Sequence, residues 1–353
     1  MRVAVAGAGA FGKNHLRVCH ELEKAGQGVA LVAAVEPDAA RAAEAAAKYL
    51  IPVFSTVDEL LAADLKLNAA TVAVPTVHHH AVASALLEAG LDLLVEKPLA
   101  ASLVEADDLI ERAEKSKRIL QPGHLERFNP AVLAIEPQLH RPMFFESHRL
   151  SIFTPRALDV DVVLDLMIHD LDIVLTFAAS PVREVRAVGL PILSPKVDIA
   201  NVRVEFESGC VANFTASRVS TERVRKLRYF EPRQYVSIDY ARQDLLVIRV
   251  DGGAAANVAA EIAAGRVDPA SLAQLAAGGH LSPGLSFAKP AVTPGEPLRL
   301  EVESFLDSVR TRQQPRVTAR QGRNALELAL DIQASMAAHA HRAGLEDFFA
   351  PGA

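Results

Sequence analysis

The chain has 353 residues, and its 43 acidic against 37 basic side chains give a formal net charge of -6. Half of the residues are apolar and 23% are charged, which is typical of a globular protein and excludes a disordered or fibrous one. The acidic balance argues against a nucleic-acid binder that acts through overall basicity.

Length and cysteine content set further limits. A chain of 353 residues exceeds one ordinary core, so we expect two domains. No run reaches the ~20 apolar residues that span a bilayer, and glycines interrupt the apolar N-terminus, so we expect neither membrane contact nor a signal peptide. Cys19 and Cys210 lie far apart and suit no disulfide or metal pattern. We therefore expect a cytoplasmic protein.

Strands and helices alternate over the first third of the chain. Short apolar runs predict strands at residues 2–7, 29–36, 69–75, 91–96 and 118–124, with a short strand near Val53. Amphipathic runs predict helices at residues 11–25, 38–49, 57–63, 78–89 and 102–115. This rhythm predicts an α/β domain over residues 1–122, a doubly wound parallel sheet of the Rossmann type with right-handed crossovers.

The pattern changes near residue 122, where we place the start of a second domain over residues 123–353. Helices predicted around 129–139 and 161–178 are mixed with segments in which apolar and polar residues alternate. These segments are 144–153, 182–190, 200–208, 210–219, 234–240 and 244–250. They predict an α+β domain with an open, largely antiparallel sheet. A loosely ordered excursion is predicted at 253–297, and amphipathic helices at 301–313 and 322–339.

The first predicted strand runs into the segment GAGAFG, in which Gly7, Gly9 and Gly12 have the G-x-G-x-x-G spacing. In such a loop the first glycine permits a tight turn, the second lets the backbone approach a pyrophosphate, and the third lets helix and strand pack closely. The helix N-terminus adds unpaired N–H groups and the positive end of a dipole. The loop, including Ala10 and Phe11, therefore predicts a dinucleotide site. A tight strand-to-helix turn without a ligand is the alternative.

The second predicted strand ends at Glu36, whose carboxylate can accept both hydroxyls of an adenosine ribose and would repel a 2'-phosphate. This residue favours NAD over NADP as the cofactor. Asp38 is a second candidate for the ribose, although a helix cap explains it better. Arg41 lies close by in the sequence and keeps NADP as the alternative cofactor.

The stretch LLVEKPLA ends an apolar strand abruptly with Glu96, Lys97 and Pro98. Ligands bind beyond the carboxyl ends of the strands in an open parallel sheet, so this charged end is a candidate site. With the segments AGAGAFG, VPTVHHHAVASALLEAGLDLLVEKP, GHLERFNP and DLMIHDLD, the chain resembles the glucose-fructose oxidoreductase and inositol dehydrogenase family, also called Gfo/Idh/MocA. The resemblance covers essentially the whole chain and implies an NAD(P)-dependent oxidoreductase that acts on sugars.

The resemblance implies that Lys97 contacts substrate and cofactor, and that Asp165 and His169 form the catalytic pair. These two residues are four apart and would share one face of a helix. Hydride transfer to or from an alcohol carbon requires a proton to move on the oxygen, and histidine titrates in the useful range. We expect His169 to be the general acid or base, Lys97 to stabilise a developing alkoxide and Asp165 to orient the substrate or the histidine. A helix cap with an ordinary side-chain pair is the alternative.

Further positions match the family's motifs less specifically. Those that the resemblance places along the cofactor groove are Pro75, Thr76, His79, Glu96 and Lys97. Those that it places at the substrate are Lys97, His124, Arg127, Asp165 and His169, although an exposed ion-pairing arginine explains Arg127 nearly as well. Asp172 extends the helix face of His169. The resemblance allows it to reach the substrate, and a structural role explains it equally well. The three histidines at 78–80 do not predict a metal site, because adjacent side chains at a helix start diverge and no further ligand spacing supports one.

The segment SRVSTERVRKLRYFEPR, residues 217–233, has six cations against two acids. These cations predict an anion site for a substrate diphosphate, with Arg218 as the candidate residue. A solvated sheet edge or a subunit contact is the alternative. Together with GHLERFNPAV, the segment resembles the branch of the family that oxidises UDP-N-acetylglucosamine at C3. A free-sugar or inositol dehydrogenase and a non-catalytic dinucleotide-binding regulator are the alternatives. An open sheet would leave one face to solvent, so we expect a homodimer or homotetramer formed through it.

Overall fold

The structure, a computed structural model, describes residues 1–153, 160–250, 264 and 285–349. Its contacts divide the chain into two compact units. The first unit consists of Met1–Phe128 and Gly295–Asp331, and the second consists of Asn129–Pro294 and Ile332–Ala353. Each unit therefore combines segments from two distant parts of the sequence.

Alternating strands and helices build the first unit. Its strands are β1 (Arg2–Ala6), β2 (Ala30–Val35), β3 (Val53–Phe54), β4 (Ala69–Val72), β5 (Asp92–Glu96) and β6 (Leu120–Gly123). Its N-terminal helices are α1 (Gly12–Lys24), α2 (Ala39–Tyr49), α3 (Val57–Ala62), α4 (His79–Glu88) and α5 (Leu103–Ser116). The strands pair in parallel in the order β3-β2-β1-β4-β5-β6, so the predicted doubly wound sheet is confirmed.

The strand order of this sheet reverses at β1, which pairs with both β2 and β4. In open α/β sheets, ligands bind outside the carboxyl ends of the strands at such a point. The segments that follow the carboxyl ends of β1, β2, β4 and β5 contain Gly7, Glu36, Pro75 and Lys97. The fold therefore gathers these four residues along one edge of the sheet.

The second unit is built on an eight-stranded sheet within the described residues. Its strands are β7 (Phe144–Leu150), β8 (Val182–Leu190), β9 (Ile199–Phe206), β10 (Val211–Ser217), β11 (Val224–Glu231), β12 (Gln234–Asp239), β13 (Asp244–Val250) and β14 (Leu285–Ala288). They pair in the order β14-β13-β12-β11-β7-β10-β9-β8. Neighbours run antiparallel except β7 and β10, which run parallel. The predicted open, largely antiparallel sheet is confirmed.

Strand β11 lies between β7 and β12, yet the sequence did not predict it as a strand. Leu227 and Tyr229 are fully buried on one face of this strand. The residues that alternate with them are cations or aromatics rather than neutral polar residues, and Arg228 pairs with Glu146 of β7 at 3.0 Å. The alternation is therefore present, but the charges made the segment resemble a basic patch.

A two-part helix carries the candidate catalytic pair in the second unit, where α6 (Pro130–Ile135) precedes it. One π-helical turn, Val163–Met167, leads directly into α7 (Ile168–Ala178). Arg149 of β7 forms a bidentate pair with Asp170 of α7 at 2.6 and 3.1 Å. The two side chains are only 3% and 2% exposed, so this pair fixes α7 against the sheet in a low-dielectric setting.

A helix from the C-terminal part of the chain completes the core of the first unit. Helix α8 (Pro297–Thr311) buries an apolar face that includes Val302 and Phe305, and this face joins one cluster with residues of α1 and β1. The boundary predicted at residue 122 placed this helix in the second domain, whereas in the structure it belongs to the first unit. The roles predicted for residues 1–122 and 123–353 stay predictions. Helix α9 (Ala319–Ala343) follows.

The excursion predicted at residues 253–297 lies for the most part outside the described residues. Its described end contains β14 and the first residue of α8. Among the helices that the structure describes, none has the length and apolar character needed to cross a membrane.

The Arg149–Asp170 pair gives a test of the second unit. Asp170→Asn leaves a buried guanidinium without its carboxylate, so it should lower the free energy of unfolding by about 3 kcal/mol or more, measured by urea denaturation. Glu184→Gln is the matched control, because it breaks the solvent-exposed pair with Arg186 and should change stability far less. Equal effects of the two substitutions would contradict the anchoring role of the buried pair.

Candidate active site

The loop between β1 and α1 shows a separate reason for each glycine. Gly7 has a φ of +98°, and a Cβ added to it would lie 2.6 Å from the carbonyl oxygen of Ala73. A Cβ added to Gly12 would overlap the carbonyl group of Gly7. At Gly9 no described atom lies within 4 Å of an added Cβ. The fold itself therefore requires Gly7 and Gly12, whereas Gly9 leaves open space beside the loop.

Helix α1 begins at this loop without a capping side chain. Phe11 occupies its N-cap position and makes no side-chain hydrogen bond, and the first turn contains no acidic residue. Among the described residues, the positive end of the helix dipole is thus left without a side-chain cap. Ala10 and Phe11 are exposed on the loop. A diphosphate is the kind of anion that such a helix end binds.

Glu36 follows β2 directly and is buried. Its carboxylate accepts hydrogen bonds from the backbone N–H groups of Ala8 (2.8 Å) and Asp38 (3.0 Å), and it lies 3.0 Å from the guanidinium of Arg41. The bond from Ala8 ties this predicted ribose ligand to the glycine loop. Asp38 accepts a hydrogen bond from the backbone N–H of Arg41 at 2.9 Å, so its interpretation as the cap of α2 is confirmed.

Strand β5 ends at Glu96, and the turn that follows carries Lys97. The Lys97–Pro98 peptide bond is cis, and Lys97 is half-buried. One carboxylate oxygen of Glu96 lies 2.8 Å from Nε2 of His15, and the other accepts the backbone N–H of Lys97 at 3.3 Å. The Glu96 carboxylate is therefore engaged within the protein, and the predicted contact of Glu96 with the cofactor stays a prediction. Sequence reasoning did not single out His15.

His79, the first residue of α4, is buried between two backbone segments. Its Nδ1 lies 2.9 Å from the carbonyl oxygen of Pro98, and its Nε2 lies 3.0 Å from that of Val74. Burial lowers the pKa of His79, an effect that these two carbonyls and the charge of Glu96 partly offset. The ring therefore joins the segments after β4 and β5. Its predicted contact with the cofactor stays a prediction.

The turn before α4 follows the carboxyl end of β4. Pro75 is exposed and Thr76 is half-buried there, at the edge where a cofactor groove is expected. His78 is exposed, while His80 lies 2.7 Å from a carboxylate oxygen of Asp108. The three adjacent histidines at 78–80 thus have three different surroundings.

His124 and Arg127 follow β6 in the first unit, and both are buried. The backbone N–H of Arg127 donates to the carbonyl of His124 at 3.0 Å, and Arg316 donates to the carbonyl of Arg127 at 3.3 Å. Arg127 is only 3% exposed, so the alternative of an exposed arginine is wrong. The substrate contacts predicted for both residues stay predictions.

Asp165 and His169 lie on one continuous helical segment of the second unit. Asp165 belongs to the π-helical turn and His169 to the first turn of α7, and both are half-buried. Asp161 caps the segment by accepting hydrogen bonds from the N–H groups of Val163 (2.9 Å) and Leu164 (3.0 Å). Asp172 is buried on the same helix. The catalytic roles of Asp165 and His169 stay predictions.

The six cations of residues 217–233 do not share one surface. Lys226 and Arg228 lie on the face of β11 opposite to the buried Leu227, because successive strand residues point to opposite sides. Arg218 is itself buried, and its Nε lies 3.6 Å from a carboxylate oxygen of Asp198. These positions exclude a single anion site formed by all six cations, and the substrate role of Arg218 stays a prediction.

Comparisons with known proteins decide the family. Residues 1–124 match the model of an oxidoreductase family with an NAD-binding Rossmann fold, and residues 131–234 match the GFO/IDH/MocA C-terminal domain. The UDP-N-acetylglucosamine 3-dehydrogenase of Acidithiobacillus ferrooxidans is 31% identical over 97% of this chain and 99% of its own. The chain belongs to the Gfo/Idh/MocA family.

Two further comparisons describe the place of the chain among Gfo/Idh/MocA proteins. The solved structure of the Acidithiobacillus ferrooxidans enzyme has a TM-score of 0.82 at 31% identity and covers 96% of this chain and 98% of its own. The inositol 2-dehydrogenase of Corynebacterium glutamicum is 31% identical over 56% of this chain and 58% of its own. The chain is thus an NAD-binding oxidoreductase with sugar dehydrogenases among its relatives, and the family resemblance of its motifs is confirmed.

Substitutions in the Gfo/Idh/MocA nucleotide loop should separate folding from cofactor binding. Gly9→Ala adds a methyl group to open space, so it should leave the melting temperature unchanged and weaken NADH binding. Gly12→Ala drives a methyl group into the carbonyl of Gly7 and should destabilise the protein without cofactor by about 1–3 kcal/mol. Thermal melts and NADH fluorescence titrations give the two quantities. NADH binding by Gly9→Ala at the wild-type affinity would exclude the loop as the diphosphate site.

The lowered pKa of His79 predicts a loss of stability in acid. Unfolded histidine has a pKa of about 6.5, so below that pH the unfolded chain takes up a proton that the folded chain resists. The stability contributed by neutral His79 is therefore present above about pH 6.5 and lost as the pH falls toward the folded pKa. The stability advantage of the wild type over His79→Gln should shrink between about pH 7 and 5 in urea unfolding. An advantage that grows on acidification would show that the two carbonyls outweigh burial.

Proposed function

We propose that this chain is an NAD-dependent dehydrogenase that oxidises the C3 hydroxyl of UDP-N-acetylglucosamine to a ketone. The observation that carries the proposal is the extent of the similarity. The UDP-N-acetylglucosamine 3-dehydrogenase matches 97% of this chain, whereas the inositol 2-dehydrogenase matches 56%. The longer match includes the second unit, where the family resemblance leads us to expect substrate recognition.

The residues that are present fit NAD. Gly9 leaves open space next to the uncapped start of α1, which suits a diphosphate. Glu36, bonded to Ala8 of the same loop, is the residue that we assign to the adenosine ribose hydroxyls. Its carboxylate would repel the 2'-phosphate of NADP, and it also engages Arg41, the cation that such a phosphate would need. These contacts favour NAD over NADP.

The catalytic roles follow from the chemistry of three side chains. Bound NAD supplies the hydride acceptor. We assign His169 as the general base that takes the proton of the sugar hydroxyl, because histidine is the side chain most often used for general acid and base catalysis. The ammonium group of Lys97 stabilises the negative charge that develops on that oxygen. Asp165, four residues before His169, orients the imidazole or the sugar.

The π-helical turn at Val163–Met167 supports this assignment. Such turns are rare and occur frequently at functional sites. Here the turn contains Asp165 and ends immediately before α7, the helix that carries His169. The cap at Asp161 and the buried pair at Asp170 fix the segment at both ends. A rigid support of this kind is what a positioned acid and base require.

A free-sugar or inositol dehydrogenase is the second candidate, and the inositol 2-dehydrogenase relative favours it. A UDP-sugar carries a diphosphate and inositol carries no charge, so a cation at the substrate separates the two candidates. We keep Arg218 in that role, and we place His124 and Arg127 near the sugar. A non-catalytic regulator is disfavoured, because Lys97 and His169 are both present.

We expect the protein to work in the cytoplasm as a homodimer or homotetramer, without a nucleic-acid or membrane partner. The outer face of the sheet in the second unit supports self-association. Phe144 stacks on Phe230 with ring centres 5.4 Å apart, and Phe230 contacts Tyr235 at 5.2 Å. All three rings are partly exposed, and contiguous apolar surface of this kind is typical of interfaces.

Substrate choice can be measured with the purified protein. With NAD, we expect UDP-N-acetylglucosamine to give NADH absorbance, while N-acetylglucosamine and myo-inositol give little. His169→Asn is the matched control, since loss of the base should lower kcat by about 100-fold or more and leave NADH binding intact. Turnover of the free sugar or inositol alone would favour the second candidate. NADH binding without turnover of any sugar would favour the regulator.

A further inference from the structure

A buried histidine holds the turn of Lys97 from the side of α1. Nε2 of His15 lies 2.8 Å from a carboxylate oxygen of Glu96, and the two side chains are 0% and 9% exposed. This contact joins helix α1 to the end of β5. Nδ1 of His15 is buried without a hydrogen-bond partner among the described residues. The polar contact that His15 makes is therefore directed at Glu96.

The Glu96 carboxylate is fixed on its other sides as well. Its second oxygen accepts the backbone N–H of Lys97 at 3.3 Å. Gly123 of the neighbouring strand β6 lies so close that an added Cβ would be 3.0 Å from the carboxylate. The carboxylate thus fills a space that a glycine leaves for it, and its position sets the start of the turn that carries Lys97.

His79 holds the same turn from the side of α4. Its Nδ1 lies 2.9 Å from the carbonyl oxygen of Pro98, the residue directly after Lys97. His15 therefore acts on the residue before Lys97, and His79 acts on the residue after it. The two histidines come from different helices, so they restrain the turn from two independent directions.

Both histidines connect the turn to the nucleotide loop. His15 lies three residues after Gly12 in α1, the helix that begins at this loop. Nε2 of His79 lies 3.0 Å from the carbonyl oxygen of Val74, and the backbone at Val74 packs against Gly7, whose added Cβ would be 3.0 Å from the Val74 nitrogen. The side chains of His15 and His79 thus pack between the turn and the segments next to the loop within the first unit.

We propose that His15 and His79 are positioning residues, which hold the turn of Lys97 in fixed geometry relative to the nucleotide loop. The proposal rests on the function proposed above for Lys97. Both histidine rings are buried, so they act through Glu96 and Pro98 rather than on substrate. A displacement of about 1 Å at a reacting group can lower a rate about 100-fold, so loss of this support should reduce turnover. Cofactor binding should persist, because Gly7 and Gly12 set the shape of the loop independently.

Four variants separate positioning from general destabilisation. His15→Leu removes the contact to Glu96, whereas His15→Gln keeps an N–H donor close to the place of Nε2. The double variant His15→Leu with Glu96→Leu also removes the buried carboxylate. No unpaired charge is then left in the interior, so this variant should still fold. His20→Leu is the matched control, because His20 lies on the same helix and 3.8 Å from an acid, Glu23, that does not belong to the turn.

Turnover, the Kd for NADH and the reactivity of the Lys97 amine are the three measurements. We expect His15→Leu and the double variant to lower kcat by about 10- to 100-fold. The Kd for NADH should stay unchanged in His15→Leu, and in both variants an amine-specific label should modify Lys97 at an altered rate, followed by peptide mass spectrometry. Because Glu96 is itself a predicted cofactor contact, the double variant is compared by turnover and labelling alone. His15→Gln and His20→Leu should keep wild-type values in all three measurements.

Two results would overturn the inference. One is wild-type turnover and wild-type Lys97 labelling in His15→Leu. The other is a loss of turnover in His15→Leu that His15→Gln does not restore and that is accompanied by a parallel loss of NADH binding. A residue with only a structural role would give this result. If the wild-type protein oxidises none of the candidate sugars, the proposed function fails, and the labelling of Lys97 still decides the positioning role.

Discussion

The close approach of helix α1 to the end of strand β1 is the constraint on which the candidate site depends. It exists because Gly12 has no side chain where the carbonyl of Gly7 lies. The approach places the start of α1 beside the loop, and α1 in turn supplies His15 to the carboxylate of Glu96. A side chain at position 12 would therefore disturb both the nucleotide loop and the turn after β5.

Three buried carboxylates in the segments that carry candidate site residues each have a defined partner. Glu36 accepts a hydrogen bond from the N–H of Ala8, Glu96 contacts His15, and Asp170 forms an ion pair with Arg149. An unpaired carboxylate in such surroundings is strongly unfavourable, so each pair restrains the position of two chain segments at once. All three pairs join segments that are distant in sequence. Their main effect is therefore to fix geometry rather than to add stability.

Local patterns predicted most of this fold and part of the candidate site. The alternation of strands and helices predicted the parallel sheet, and the glycine spacing predicted the loop between β1 and α1. Strand β11 was missed because cations occupy its outward positions. His15 was missed because 81 residues separate it from Glu96, and a sequence shows which residues share a helix but not which distant segments meet. The available signal was a histidine on the apolar side of α1, where a buried polar group needs a partner.

Helix α8 has a consequence for how the polypeptide is made. Its apolar side chains, Val302 and Phe305 among them, cover surface that belongs to the N-terminal sheet and α1. When Met1–Phe128 of a nascent chain has left the ribosome, this cover is still missing. The first unit stays incomplete until almost the entire polypeptide has been synthesised. A premature stop codon before Pro297 would therefore damage the nucleotide-binding half of the protein, although every residue of its glycine loop had been translated.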